Sequence, residues 1–87
     1  MEVELKDERV ELDLLKLKDE HQIKYFELAQ EAQKGNIAEF LKFRNYLITT
    51  VSGLTEEEVK KLPLVEKNKL IKPIEKALLP QWDFTKD

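Results

Sequence analysis

The sequence holds few side chains that could act as a general base or as a nucleophile. His21 is its only histidine and Ser52 is its only serine. A general base needs an orienting group and a nucleophile within hydrogen-bonding reach, and neither residue has such a partner in the sequence around it. We therefore interpret His21 as a surface residue in the first turn of a helix, and Ser52 as a turn residue beside Gly53.

Three adjacent carboxylates, Glu56, Glu57 and Glu58, are the next candidates for chemistry. Neighbouring residues of a helix point about 100° apart, so these side chains cannot converge on one metal ion. Thr55 and Glu58 form instead a capping box at the start of a helix. The chain also has no cysteine, no glycine-rich phosphate loop and no metal-ligand spacing. The sequence predicts no enzyme, no metal and no cofactor, and it favours a protein that binds another protein.

The composition fits one small folded domain. The chain has 87 residues, of which 41% are hydrophobic and 38% are charged, a balance that is typical of a folded domain with a strongly solvated surface. Its net charge is −3, and no basic patch is evident, so we expect no binding to nucleic acid. The apolar runs are too short for a membrane span, so we expect no membrane partner.

The N-terminal residues 3–14 predict a short β-hairpin. Apolar residues alternate with polar ones on either side of a charged gap: Val3, Leu5, Val10, Leu12 and Leu14. Alternation with a period of two places the apolar side chains on one face of each strand, and Asp7 in the gap is a turn former. An isolated hairpin is only marginally stable, so its apolar face should lie against helices.

Two helices are predicted to follow the hairpin. Asp19 is a candidate N-cap with Gln22 as its capping-box partner, and Gly35 ends this first helix. Asn36 caps the second helix, which closes at Gly53. The second helix has the widest apolar face in the chain and should form the core: Ile37, Phe40, Leu41, Phe43, Leu47, Ile48 and Val51.

A short third helix should run from Thr55 to near Leu62, and a fourth from Leu64 to Leu79. Pro73 removes a backbone donor from the fourth helix, which predicts a kink or a restart there. The predicted fold class is thus mostly α (α+β): an N-terminal hairpin followed by three to four helices, the last kinked at Pro73. Residues 1–80 form one domain and residues 81–87 a C-terminal tail. Trp82 and Phe84 in that tail either fold back over the core or anchor a partner, and both interpretations stay open.

The segment from Val51 to Leu64, VSGLTEEEVKKLPL, resembles a segment of small tail-assembly chaperones of tailed bacteriophages. Residues 14–19 are similar to that family's junction between an N-terminal β element and the first helix. The resemblance implies a protein of the host cytoplasm that binds the tape-measure protein, or another tail protein, and keeps its hydrophobic helices soluble during tail assembly. From the periodicity of the last helix we predict that a partner-binding groove contains five residues: Ile71, Ile74, Leu78, Trp82 and Phe84.

Two other functions compete with this one. A structural component of the virion, such as a tail-completion or connector protein, would assemble into rings, and the sequence leaves a homo-oligomer open. A small transcriptional regulator would use a helix–turn–helix over residues 37–62. Its recognition helix would begin with three glutamates, which repel phosphates, so we rank it below the other two.

Overall fold

The computed structural model describes residues 1–79, and it confirms a mostly helical fold with an N-terminal hairpin. The elements are β1 (Glu2–Glu4), β2 (Arg9–Glu11), a 3₁₀ turn (Leu14–Lys16), α1 (Asp19–Gln33), α2 (Ile37–Ser52), α3 (Glu56–Lys61) and α4 (Leu64–Leu78). The predicted tail, 81–87, lies outside the described residues.

The hairpin is antiparallel, with Val3 paired to Val10. Leu5, Val10 and Leu12 are buried in the same hydrophobic cluster as the helices, which confirms that the apolar face of the hairpin lies on them. The backbone N–H of Asp13 donates to the carbonyl of Val51 at 2.8 Å. This hydrogen bond joins the end of the hairpin to the last turn of α2.

The core lies where α2, α3, α4 and the hairpin meet. Its buried members are Leu5, Val10, Leu12, Leu47, Ile48, Val51, Val59, Leu70, Ile71, Ile74 and Leu78. The prediction that α2 forms the core therefore holds for its C-terminal half, whereas Ile37 and Leu41 near its start are exposed. That N-terminal half pairs with α1, where the rings of Tyr25 and Phe40 lie 5.3 Å apart.

The start of α1 differs from the prediction. Lys18, and not Asp19, is the N-cap residue, and its backbone N–H donates to Nδ1 of His21 at 2.8 Å. The Gln22 side chain, predicted to serve the cap, donates through Nε2 to the carbonyl of Leu78 at 2.6 Å. The predicted Asp19–Gln22 capping box is wrong because the histidine side chain reaches back to the free amide and Gln22 is used to join α1 to α4.

Two glycines follow the ends of α1 and α2, and one proline lies inside α4. Gly35 and Gly53 have φ angles of 106° and 79°, the left-handed region that a glycine enters without steric cost, and both follow helices as predicted. Pro73 lies inside α4, which continues through it from Leu64 to Leu78. Of the two predicted outcomes, a kink or a restart, the helix does not restart, and the kink stays a prediction. Buried residues lie on both sides of Pro73, at Leu70 and Ile74, and place both halves of the helix on the core.

The capping box of α3 is confirmed and leads to a stability prediction. The Glu58 N–H donates to Oγ1 of Thr55 at 3.1 Å, and the Thr55 N–H donates to Oε1 of Glu58 at 2.9 Å. Thr55→Ala should lower the free energy of unfolding in urea by about 1 kcal/mol, because one helix-start amide loses its acceptor. Thr55→Ser keeps that acceptor and should stay close to the wild type; equal losses in the two variants would contradict the role of the hydroxyl.

Candidate protein-binding cleft

A cleft of about 110 Å³ opens between α2 and α4, and we call it the α2–α4 cleft. Its lining is Leu41, Arg44, Asn45, Ile48, Leu64, Lys67, Asn68 and Ile71. Each helix contributes residues at positions i, i+3, i+4 and i+7, which is the spacing of one continuous stripe on a helix surface. On both helices the outer two positions are aliphatic and the middle two are polar.

The aliphatic residues of the cleft form an exposed mouth above a buried floor. Leu41 and Leu64 are 44% and 72% exposed, whereas Ile48 and Ile71 are buried. Lys67 adds positive charge, the charge of Arg44 is paired with that of Glu75, and no carboxylate is among the residues that line the cleft. The cleft can therefore accept an aliphatic side chain, and its charge suits a ligand with acidic groups beside that side chain.

A polar cluster next to the cleft ties α1, α2 and α4 together. Oε2 of Glu75 accepts a hydrogen bond from the Tyr25 hydroxyl at 2.5 Å, and it lies 3.2 Å from Nε of Arg44. The guanidinium of Arg44 lies over the ring of Phe40, 5.7 Å from its centroid. Nε of Arg44 makes no hydrogen bond within residues 1–79, so its attraction to Glu75 is an ion pair without a well-directed N–H bond.

The environment of Tyr25 predicts a loss of stability in base. Burial raises the pKa of Tyr25 well above its ordinary value of about 10, and the hydrogen bond to Glu75 raises it further. The folded protein thus keeps this proton at a pH where the unfolded chain releases it, so the free energy of unfolding should fall as the pH rises above about 10.

Two variants test the behaviour of Tyr25. In Tyr46→Phe the tyrosinate absorbance reports Tyr25 alone, because the chain has two tyrosines, and this absorbance should appear only well above pH 10 or upon unfolding. In Tyr25→Phe the decline of stability above pH 10 should be smaller than in the wild type. Titration of Tyr25 at its ordinary pKa in the folded Tyr46→Phe variant would contradict the hydrogen bond to Glu75.

The five predicted partner-binding residues fall into three groups. Ile71 lines the floor of the α2–α4 cleft, Ile74 and Leu78 are buried in the core, and Trp82 and Phe84 lie outside the described residues. The apolar stripe of α4 that we interpreted as a partner groove is the face with which α4 packs on the rest of the chain. A partner could reach Ile74 or Leu78 only if α4 detached from that core.

Leu41 and Leu64, the exposed residues of the cleft, were not among the predicted partner contacts. The sequence does carry a signal for them, because the same spacing of two aliphatic and two polar residues occurs in both helices. That signal becomes specific only when the two stripes are known to face each other. Periodicity along one helix does not identify the helix that it meets.

His21 and Ser52, the residues first considered for chemistry, form hydrogen bonds at helix ends. His21 was predicted to be a surface residue, and this is wrong: it is 8% exposed, because its side chain turns back to cap α1. Ser52 ends α2, where its Oγ donates to the Ile48 carbonyl at 2.6 Å and accepts from the Leu54 N–H at 3.1 Å, which agrees with the predicted turn role. Residues 1–79 contain no group of three side chains that could hold a metal ion.

The chain matches no protein-family model, no curated protein and no solved structure. None of the helices within residues 1–79 combines the length and apolar composition needed to cross a membrane.

Proposed function

We propose that this protein is a tail-assembly chaperone of a tailed bacteriophage. In this proposal it binds an apolar helical segment of the tape-measure protein in the host cytoplasm and keeps that segment soluble until the tail assembles. The observation that carries the proposal is the α2–α4 cleft, with Leu41 and Leu64 exposed above a buried aliphatic floor. The resemblance of residues 51–64 to this family of chaperones supports the choice of partner.

The geometry of the cleft suits a helix as its ligand. An amphipathic helix binds in a groove through a few apolar side chains at i, i+3, i+4 and i+7, which enter the groove while its polar face stays in water. The α2–α4 cleft has room for one such side chain, and Leu41 and Leu64 extend the apolar contact beyond its mouth. Lys67 would then lie beside acidic residues that flank the bound side chain.

Co-expression with tape-measure fragments tests the proposal. A fragment that is insoluble alone should be recovered as a soluble complex with the wild-type chain, and light scattering on a size-exclusion column should give the composition of that complex. Leu64→Asp should weaken binding by about tenfold or more, because it places a charge at the apolar mouth of the cleft.

The matched control is Val65→Asp. Val65 is 68% exposed on the same turn of α4 but does not line the cleft, so this variant should bind like the wild type. Equal weakening by the two variants would contradict the cleft as the binding site. Failure of every fragment to form a complex, together with a closed ring formed by the chain alone, would contradict the chaperone function and favour a structural component of the virion.

A further inference from the structure

The hydrogen bonds of the hairpin fix the direction in which each backbone group of β2 points. The N–H of Leu12, which directly follows β2, donates to the Met1 carbonyl at 2.7 Å. In an antiparallel pair, successive residues point their N–H and carbonyl groups alternately toward the neighbouring strand and away from it. Leu12 points these groups toward the first strand, so Val10 does the same, and Arg9 and Glu11 point theirs away.

The outer edge of β2 is therefore open. Within residues 1–79 no hydrogen bond reaches the backbone of Arg9 or Glu11 from outside the hairpin, and their side chains are 66% and 70% exposed. Val10 between them is buried against the helices. An open strand edge of this kind is a template on which another strand can pair.

We infer that β2 pairs with β2 of a second copy of this chain, about a two-fold axis at Val10. An antiparallel pairing centred on Val10 places Arg9 of each chain opposite Glu11 of the other. Each of these pairs exchanges two backbone hydrogen bonds, because the outward groups of the two residues face each other. The two hairpins then form one four-stranded antiparallel sheet, and the two-fold symmetry closes the assembly as a dimer.

Charge selects this register of the two strands. Opposite charges directly across an antiparallel pair stabilise it, whereas like charges destabilise it. The neighbouring two-fold registers, centred on Arg9 or on Glu11, would place two arginines or two glutamates opposite each other. Arg9 also lies 3.6 Å from Glu4 across its own hairpin, so in the dimer its guanidinium would lie between two carboxylates.

The edge of β1 does not fit a second copy in the same way. Its outward groups belong to Glu2 and Glu4, which pair with Glu11 and Arg9 across the hairpin. Every two-fold pairing of β1 with itself places glutamates opposite each other. A head-to-tail pairing of β1 with β2, in the register that joins Glu4 to Arg9, would oppose Glu2 and Glu11. The β2 edge contains no residue of the α2–α4 cleft, so this dimer does not depend on the proposed function.

Charge reversal tests the pairing. Arg9→Glu and Glu11→Arg each place like charges opposite each other in the two-fold register, so either variant alone should raise the dissociation constant of the dimer about tenfold or more. An equimolar mixture of the two variants restores two pairs of opposite charge and should form a mixed dimer. Sedimentation velocity over a range of concentrations measures all of these samples. Glu27→Arg, an equal change of charge at an exposed position of α1, is the matched control and should dimerise like the wild type.

Amide hydrogen exchange tests the edge in the unmodified chain. Exchange at Arg9 and Glu11 should be slow at concentrations that give the dimer and fast on dilution, whereas exchange at Glu4, on the β1 edge, should be fast throughout. Slow exchange at Glu4 with fast exchange at Arg9 would overturn the inference, because the contact would use β1. Slow exchange at Arg9 that persists in the monomer would also overturn it, because the edge would be covered within one chain.

The sedimentation results decide the inference independently of hydrogen exchange. The ion pairs that Arg9 makes within its own hairpin are exposed, so their loss costs little of the fold, and circular dichroism should confirm that both variants are folded. A wild-type chain that is monomeric even at millimolar concentration would overturn the inference, as would a dimer that both charge reversals leave intact. Two folded variants that stay monomeric when mixed would overturn the pairing of Arg9 with Glu11.

Discussion

Ile74→Ala is expected to lower the free energy of unfolding by about 3–4 kcal/mol. Ile74 is 0% exposed, and it lies in the same core cluster as Leu47 and Leu70. Alanine would remove three carbon atoms from a site that the surrounding helices cannot close completely, so a cavity adds to the lost burial. A domain of this length has about 5–10 kcal/mol of stability, so the variant should lose a large part of it.

The control for this experiment is Leu64→Ala. Leu64 belongs to the same helix and is exposed, so its truncation should cost about 0.5 kcal/mol or less. Urea unfolding followed by circular dichroism measures both variants. Similar losses in the two variants would mean that α4 does not pack on the core through Ile74.

The same pair of positions separates loss of binding from loss of folding. Ile74→Ala should weaken binding only as far as it unfolds the chain, whereas Leu64→Asp should weaken binding with the fold intact. Measuring stability and binding on both therefore distinguishes the interpretation of Ile74 as a partner contact from its place in the core. If a stably folded Ile74→Ala protein lost its partner while Leu64→Asp kept it, the site would be the buried stripe of α4 and not the cleft.

The elements that sequence reasoning predicted well are those with local signals. The hairpin follows from alternation around a polar gap, and the start of α3 follows from Thr55 and Glu58, which lie three residues apart and bond to each other. Gly53 marks the end of α2 because a left-handed residue is required there. Each of these signals is contained within a few residues, so no knowledge of the packed structure is needed to interpret it.

The features that sequence reasoning predicted poorly depend on contacts between segments that are distant in the chain. Ile74 and Leu78 share an apolar face, but periodicity does not say whether that face meets the same chain or a partner. Gln22 has the right spacing for a capping box and is drawn instead to Leu78, which is 56 positions away. The cleft combines stripes from two helices, so only the packed structure brings Leu41 and Leu64 to one site.

The burial of His21 leads to the second large prediction. His21→Ala should lower the free energy of unfolding by about 2–3 kcal/mol, because it removes a buried ring and leaves the Lys18 N–H without its acceptor. The ring also lies 6.3 Å from that of Tyr46, so truncation opens space between α1 and α2. Lys24 is exposed and lies on the same helix, so Lys24→Ala should cost no more than about 0.5 kcal/mol.

Two further variants at this position separate the cap from the packing. Asparagine is shorter than histidine, but its Oδ1 can take the place of Nδ1 as acceptor, whereas leucine fills the buried space without any acceptor. Amide hydrogen exchange at Lys18 should therefore stay slow in the wild type and in His21→Asn, and it should become fast in His21→Leu and His21→Ala. Equal exchange rates in His21→Asn and His21→Leu would mean that the start of α1 is held by burial of the ring and not by the hydrogen bond to Nδ1.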